Sequence, residues 1–130
     1  MSRVVLYYNQ KGKRKSKEKE KKKMPPIDLT LASAHVYTDR KERLNAVYAI
    51  GVGFPAAIFE EYKDGQKVVV TLTSTGLVVI RSTDNMIITL YIPSVSKAKR
   101  FYRIANGKEA RVPQKLIDNV IMNNVMFPID

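Results

Sequence analysis

Between Ala57 and Ile92 the apolar residues come in four short runs, each dense in Val, Ile, Leu or aromatic side chains, with turn residues between them. Ile58 to Tyr62 leads into Lys63-Asp64-Gly65-Gln66, a hairpin turn signal, and then into Lys67 to Thr73. Ser74-Thr75-Gly76 turns the chain into Leu77 to Arg81, and Thr83-Asp84-Asn85 turns it again into Met86 to Ile92. Runs this short and this regularly punctuated predict an antiparallel meander of four strands, ended by Pro93.

On either side the apolar spacing becomes helical. Upstream, Leu44, Val47 and Tyr48 share one helix face. Asp39-x-x-Glu42 has the form of a capping box that starts a helix near Arg40 and carries it to Ile50, where Gly51 and Gly53 end it. A start at Ser33 is the alternative, and it turns His35 away from the apolar stripe. Downstream, Ser94 to Ile104 predicts a helix capped by Ser94 or Ser96, with Lys97, Lys99, Arg100 and Arg103 on a basic face. Asn106-Gly107 breaks it. Pro113 suits the first turn of a last helix, Gln114 to about Asn124, in which Leu116, Ile117, Val120 and Ile121 recur at helical spacing. The expected fold is α+β: an N-terminal helix packed on a four-stranded antiparallel sheet, with C-terminal helices, all on one sheet face.

Charge changes the picture at the N-terminus. Lys11 to Lys23 (KGKRKSKEKEKKK) holds nine of the 23 Lys+Arg and only two of the 12 acids, and so carries most of the formal charge of +11. Like charge at this density cannot be buried, which predicts a solvated, flexible arm. Residues 1–24 therefore read as a short strand, Arg3 to Tyr8, followed by the arm, and 25–130 as a single α+β domain entered through Pro25-Pro26. A cationic arm gains most of its binding free energy by displacing counterions from a polyanion, so nucleic acid is the first partner to consider. Its predicted contacts are Lys13, Arg14, Lys15, Lys21, Lys22 and Lys23, joined by Lys97, Lys99, Arg100 and Arg103.

Several chemistries lack their residues. There is no cysteine and one histidine, which removes disulfides, thiol nucleophiles, Cys-ligated zinc and His-rich metal sites. No Gly-rich phosphate loop is present, and Glu60-Glu61 point to opposite faces of a strand instead of converging. No metal or cofactor is expected. No apolar run is long enough to span a bilayer, and Met1 to Tyr8 is too short and polar for a secretory core, so an intracellular, cytoplasmic protein with no membrane partner is the reading.

What remains is a set rich in cations and hydroxyls: His35, Arg40, Arg43, Thr89 and Tyr91. RNA can be cut with such a set and no metal, because its own 2′-OH attacks the adjacent phosphate. The protein need only move protons and stabilise charge on the phosphorane. In that scheme His35 transfers a proton, Arg40 and Arg43 hold the phosphate, and Thr89 and Tyr91, two apart on one sheet face, orient the scissile nucleotide. This favours RNA over DNA as target.

His35, Arg40, Glu42 and Arg43, followed by an acidic-aromatic strand, a VVV strand and a strand reading DNMIITLY, resemble the barnase/EndoU/colicin/RelE-like superfamily of metal-independent ribonucleases. The similarity is to the small domains of toxins and phages and covers roughly Leu31 to Pro93. In colicin-type tRNA nucleases a hydroxyl residue and an aromatic alternate on the last strand, as Thr89 and Tyr91 do here. The resemblance implies an RNA-binding, metal-independent endoribonuclease, toxin-like or phage-encoded. The alternative is a non-enzymatic basic nucleic-acid-binding protein of a phage or mobile element that coats nucleic acid or inhibits a host nucleoprotein. A protein inhibitor, or a structural role with Arg3 to Tyr8 as an intersubunit strand, is compatible with the same sequence, and the oligomeric state is left open.

Overall fold

The structure, a computed structural model, describes residues 24–128. The Arg3 to Tyr8 strand and the arm, with Lys13, Arg14, Lys15, Lys21, Lys22 and Lys23, lie outside the described residues. The chain is α+β, with helices around a four-stranded antiparallel sheet. In order come α1 (Ala34–Asp39), α2 (Lys41–Ile50), β1 (Pro55–Lys63), β2 (Gln66–Thr73), β3 (Val78–Ser82), β4 (Ile87–Tyr91), α3 (Val95–Asn106) and α4 (Gln114–Met126). The sheet is a meander, β1-β2-β3-β4. Its first turn is built by Asp64 (φ 53°) and Gly65 (φ 81°), the paired positive φ values that a two-residue hairpin needs to follow strand twist.

The helices do not share one face, contrary to the expectation. Val78 and Ile80 of β3 face a core shared with Ala98, Phe101 and Ala105 of α3 and Leu116 and Val120 of α4, where Phe59 and Phe101 meet edge to face at 5.3 Å. The alternate residues Leu77, Val79, Ile87 and Leu90 face a second core, with Val36 of α1 and Leu44 and Val47 of α2. Strands covered on both sides have no polar face to offer, which is why β2 and β3 read as VVV and LVVI instead of alternating.

Three local details also depart from the sequence pattern. Asp39 does not cap the helix after it: Arg40 is the N-cap, without a side-chain capping bond, and the Asp39 carboxylate lies 2.9 Å from His35 Nδ1. The segment thus forms two helices, with His35 on the first. Tyr48 is exposed, and Ala46 takes its place beside Leu44 and Val47. On α4 Ile121 is exposed while Asn123 is buried, and Pro113 is the N-cap. Ser94 caps α3 as expected, accepting from the Lys97 backbone N–H at 3.1 Å.

The buried amide explains how α4 is held. Asn119 and Asn123, four apart on one helix face, donate Nδ2 protons to the carbonyls of Ser74 (3.0 Å) and Thr75 (2.8 Å) in the β2–β3 turn. Gly76 lies in that turn at φ 91°, and a Cβ there would stand 3.0 Å from Asn123 Nδ2 and 3.1 Å from Val120. Only glycine lets the helix come this close.

Arg81, almost fully buried at the end of β3, performs the same service for the entry segment. It donates to the Pro25 carbonyl (2.7 Å), Asn85 Oδ1 (2.9 Å) and Thr71 Oγ1 (3.1 Å). Residues 31–33 add to the outer edge of β4 through Ser33 N–H to the Ile87 carbonyl (3.0 Å) and Ile87 N–H to the Leu31 carbonyl (2.8 Å). That covers part of an otherwise open strand edge.

Candidate nucleic-acid interface

The outer edge of β4 is where several predicted residues meet. Beyond the stretch covered by residues 31–33, Arg43 of α2 crosses the edge, and its Nη1 donates a long, 3.5 Å bond to the Leu90 carbonyl. This places the guanidinium beside the last residue of the strand, Tyr91. Lys97, one turn into α3, lies over the same ring, its Nζ 5.0 Å from the centroid. The three residues line one cleft of about 540 Å³. Val47 and Ile92 give it an apolar wall, and the end of α4 closes it with Asn124 and Phe127. No acid is among the described lining residues.

The Tyr91 side chain is half-buried. Burial pushes its phenol pKa above the ordinary value; Glu61 adds to the rise, and Arg100 and Arg43 oppose it. Through the neutral range the group is therefore a protonated hydroxyl, able to donate to a phosphate oxygen lying between Arg43 and Lys97.

Helical geometry sets Lys97 and Lys99 on opposite sides of α3, with Arg100, three residues after Lys97, between the two. Lys99, Arg100 and Arg103 line an open groove of about 540 Å³ together with Ser96, Ile104 and Lys108, and the charge of Arg100 also reaches the Tyr91 phenol. Arg103 Nε donates to the Ala110 carbonyl at 3.1 Å, which pins the loop carrying Lys108 against α3. The basic residues expected on α3 thus line two adjoining surfaces, Lys97 the cleft and Lys99, Arg100 and Arg103 the groove.

The other predicted residues stand apart. His35 is exposed on α1, its imidazole engaged with Asp39, and it does not line the cleft. Arg40 is half-buried at the junction of α1 and α2, where its Nε has no hydrogen-bond partner among the described residues, and it does not line the cleft either. Thr89 pairs with Ile80 and Tyr91 with Val78, so both face the α3–α4 side, but only Tyr91 reaches the cleft. Arg43, Tyr91 and Lys97 are brought together; His35, Arg40 and Thr89 are not.

Two contributors were not visible in the sequence reading. Asn124 and Phe127 come from the far end of the chain, and nothing in the local pattern of α4 ties them to β4. Lys108 had a signal: it follows the Asn106-Gly107 break at a spacing that returns the chain beside the helix it has just left. Among the described residues no three or more His, Asp or Glu gather as a metal would need, and no helix is long and apolar enough to cross a membrane. Comparison of the chain with protein-family profiles, with curated proteins and with solved structures finds no match.

Proposed function

We propose that this protein binds the phosphate backbone of nucleic acid, RNA in preference to DNA, in the cytoplasm. The observation that carries the reading is the meeting of Arg43, Lys97 and the protonated phenol of Tyr91 in one cleft free of described acids. Two cations and a neutral donor around one cavity suit an oxyanion, and a phosphodiester is the one that the charge of the rest of the chain favours. In this reading the N-terminal helices, packed across the sheet, serve to hold Arg43 over the edge of β4. The open groove of Lys99, Arg100, Arg103 and Lys108 and the charge of the arm add contacts that track the backbone.

A second reading, metal-independent cleavage of RNA, is favoured by one specific arrangement. Arg43 and Tyr91 converge at the end of the last strand, where the resemblance to metal-independent ribonucleases puts part of a catalytic site. Against it, the cleft holds cations and a phenol that can stabilise a phosphorane but has no proton acceptor of its own, since His35 is paired with Asp39 outside it.

One experiment addresses both readings. The full-length protein is titrated with labelled RNA over a range of salt and, separately, incubated with total RNA in chelator. Binding that falls steeply with salt, leaves the RNA intact and survives His35→Ala is the expected result. Absence of binding at low salt rejects the proposal. Chelator-resistant cleavage that His35→Ala abolishes raises the nuclease above the binder.

A further inference from the structure

We infer that the cleft at the end of β4 takes one unstacked nucleotide of a single strand, its phosphate on Arg43 and Lys97 and its base against the ring of Phe127. This rests on the phosphate-binding reading and adds the form of substrate that the site accepts.

The cleft differs in composition from anything needed to hold a backbone alone. A phosphate requires cations and donors, and the open groove farther along α3 supplies those without an aromatic residue in its lining. The cleft adds an apolar wall, Val47 and Ile92, and an aromatic residue, Phe127. Its volume, about 540 Å³, is in the range of sites that enclose a small ligand. Cations, an aromatic ring and apolar surface in one cleft are the complements of the parts of a nucleotide.

Phe127 is a better platform than Tyr91. The Tyr91 ring already has the Lys97 ammonium 5.0 Å above its centroid and packs against the α3–α4 core. Phe127 is half-buried, and its backbone N–H is fixed to the Asn123 carbonyl at 2.9 Å, so its ring is held by the end of α4 without being sealed in the core. Asn124 beside it uses Nδ2 on the carbonyls of Pro93 and Val120, both at 2.9 Å. That leaves its side-chain carbonyl as an acceptor for a base N–H or a ribose hydroxyl. A base inside a duplex is stacked and paired on all useful sides and cannot reach this ring; one swung out of a single strand can.

The test uses the full-length chain and one RNA, offered as a labelled single strand and as the same strand annealed to its complement, at moderate salt. The single strand is expected to bind about tenfold or more tighter than the duplex. Phe127→Leu should weaken single-strand binding by about fivefold or more, leave duplex binding and the salt slope unchanged, and Phe127→Tyr should preserve the preference. Photocrosslinking of a thiouridine-substituted strand gives a readout on the wild-type protein, with adducts expected at Phe127. Equal affinity for strand and duplex, a preference that survives Phe127→Leu in a folded variant, or crosslinks confined to the arm and the outer face of α3 would overturn the inference. The underlying reading fails separately. If Arg43→Gln with Lys97→Gln weakens both RNAs while Phe127→Leu weakens neither, phosphate binding stands and the nucleotide site falls. If the wild type binds neither RNA, both fall.

Discussion

The two basic surfaces along α3 share the sign of their charge and a volume of about 540 Å³ but not their chemistry. In one, Lys99, Arg100 and Arg103, with Lys108, are exposed along an open groove. In the other, Lys97 stands over a half-buried phenol in a cleft that Arg43 of α2 also lines, with further walls from β4 and α4. Exposed cations interact with phosphates through a screened field and track any backbone; a cation held against an aromatic wall by four converging elements can select for shape. The sign of the charge does not distinguish the two surfaces, whereas the neighbours of each charge do.

Neutralising each surface separately breaks the comparison most sharply. Lys99→Gln, Arg100→Gln and Arg103→Gln together should lower affinity for single-stranded RNA on the order of a hundredfold at low salt. The slope of log K against log salt should fall by about 2, since each lost phosphate contact removes about 0.7 for a single strand. Arg43→Gln with Lys97→Gln should reduce the slope by less, because only two cations are lost, yet shift relative affinities among RNAs of different secondary structure. Salt-dependent anisotropy titrations measure both. If the two sets act identically, the cleft is only more basic surface.

The same contrast shows what the sequence makes legible. The meander was readable because turn chemistry is local: Asp64-Gly65, Ser74-Thr75-Gly76 and Asp84-Asn85 each act within a few residues, and Pro93 stops the last strand by itself. The groove was readable for the same reason, its three main cations lying within one helix. The cleft was not, because Arg43, Tyr91, Lys97 and Phe127 are joined only by long-range packing, chiefly by α4 docking on the β2–β3 turn. His35 drew notice as the one histidine of the chain, but its own helix supplies Asp39 four residues on, and the pair forms outside the cleft. Helices on both faces were in principle foretold by the unbroken apolar runs of β2 and β3, a signal stronger than the count of helices.

If α4 builds the cleft's far wall, loosening α4 should damage one surface and spare the other. Asn123 is buried and its Nδ2 is bonded to the Thr75 carbonyl at 2.8 Å. Asn123→Ala leaves that carbonyl without its donor beneath the helix, and should cost about 1–3 kcal/mol of stability. Chemical denaturation measures the loss. At temperatures where the variant is still folded, the single-strand preference should weaken while the salt slope contributed by Lys99, Arg100 and Arg103 persists. An unchanged preference would mean that the end of α4 is not part of the binding surface.

The smallest effect belongs to the phenol. Tyr91 donates one hydrogen bond at most, so Tyr91→Phe should reduce affinity by only about two- to tenfold, with the ring, its Lys97 partner and the fold retained. Its pH dependence separates this role from that of a cation. Because burial raises the phenol pKa, the neutral form is favoured in the folded chain. The stability this lends is fully present below the pKa of the unfolded chain's tyrosine and is lost as pH rises through the higher folded value. Across the neutral range, then, Tyr91 stays protonated and its share of binding should be flat, declining only in strong alkali as a tyrosinate forms beside the phosphate. A decline in wild-type affinity between pH 7 and about 9, absent in Tyr91→Phe, would show that the flanking guanidinium groups of Arg43 and Arg100 outweigh burial and draw the titration down. The cleft would then carry an anion of its own at mildly alkaline pH, and the phosphate would be held by Arg43 and Lys97 alone.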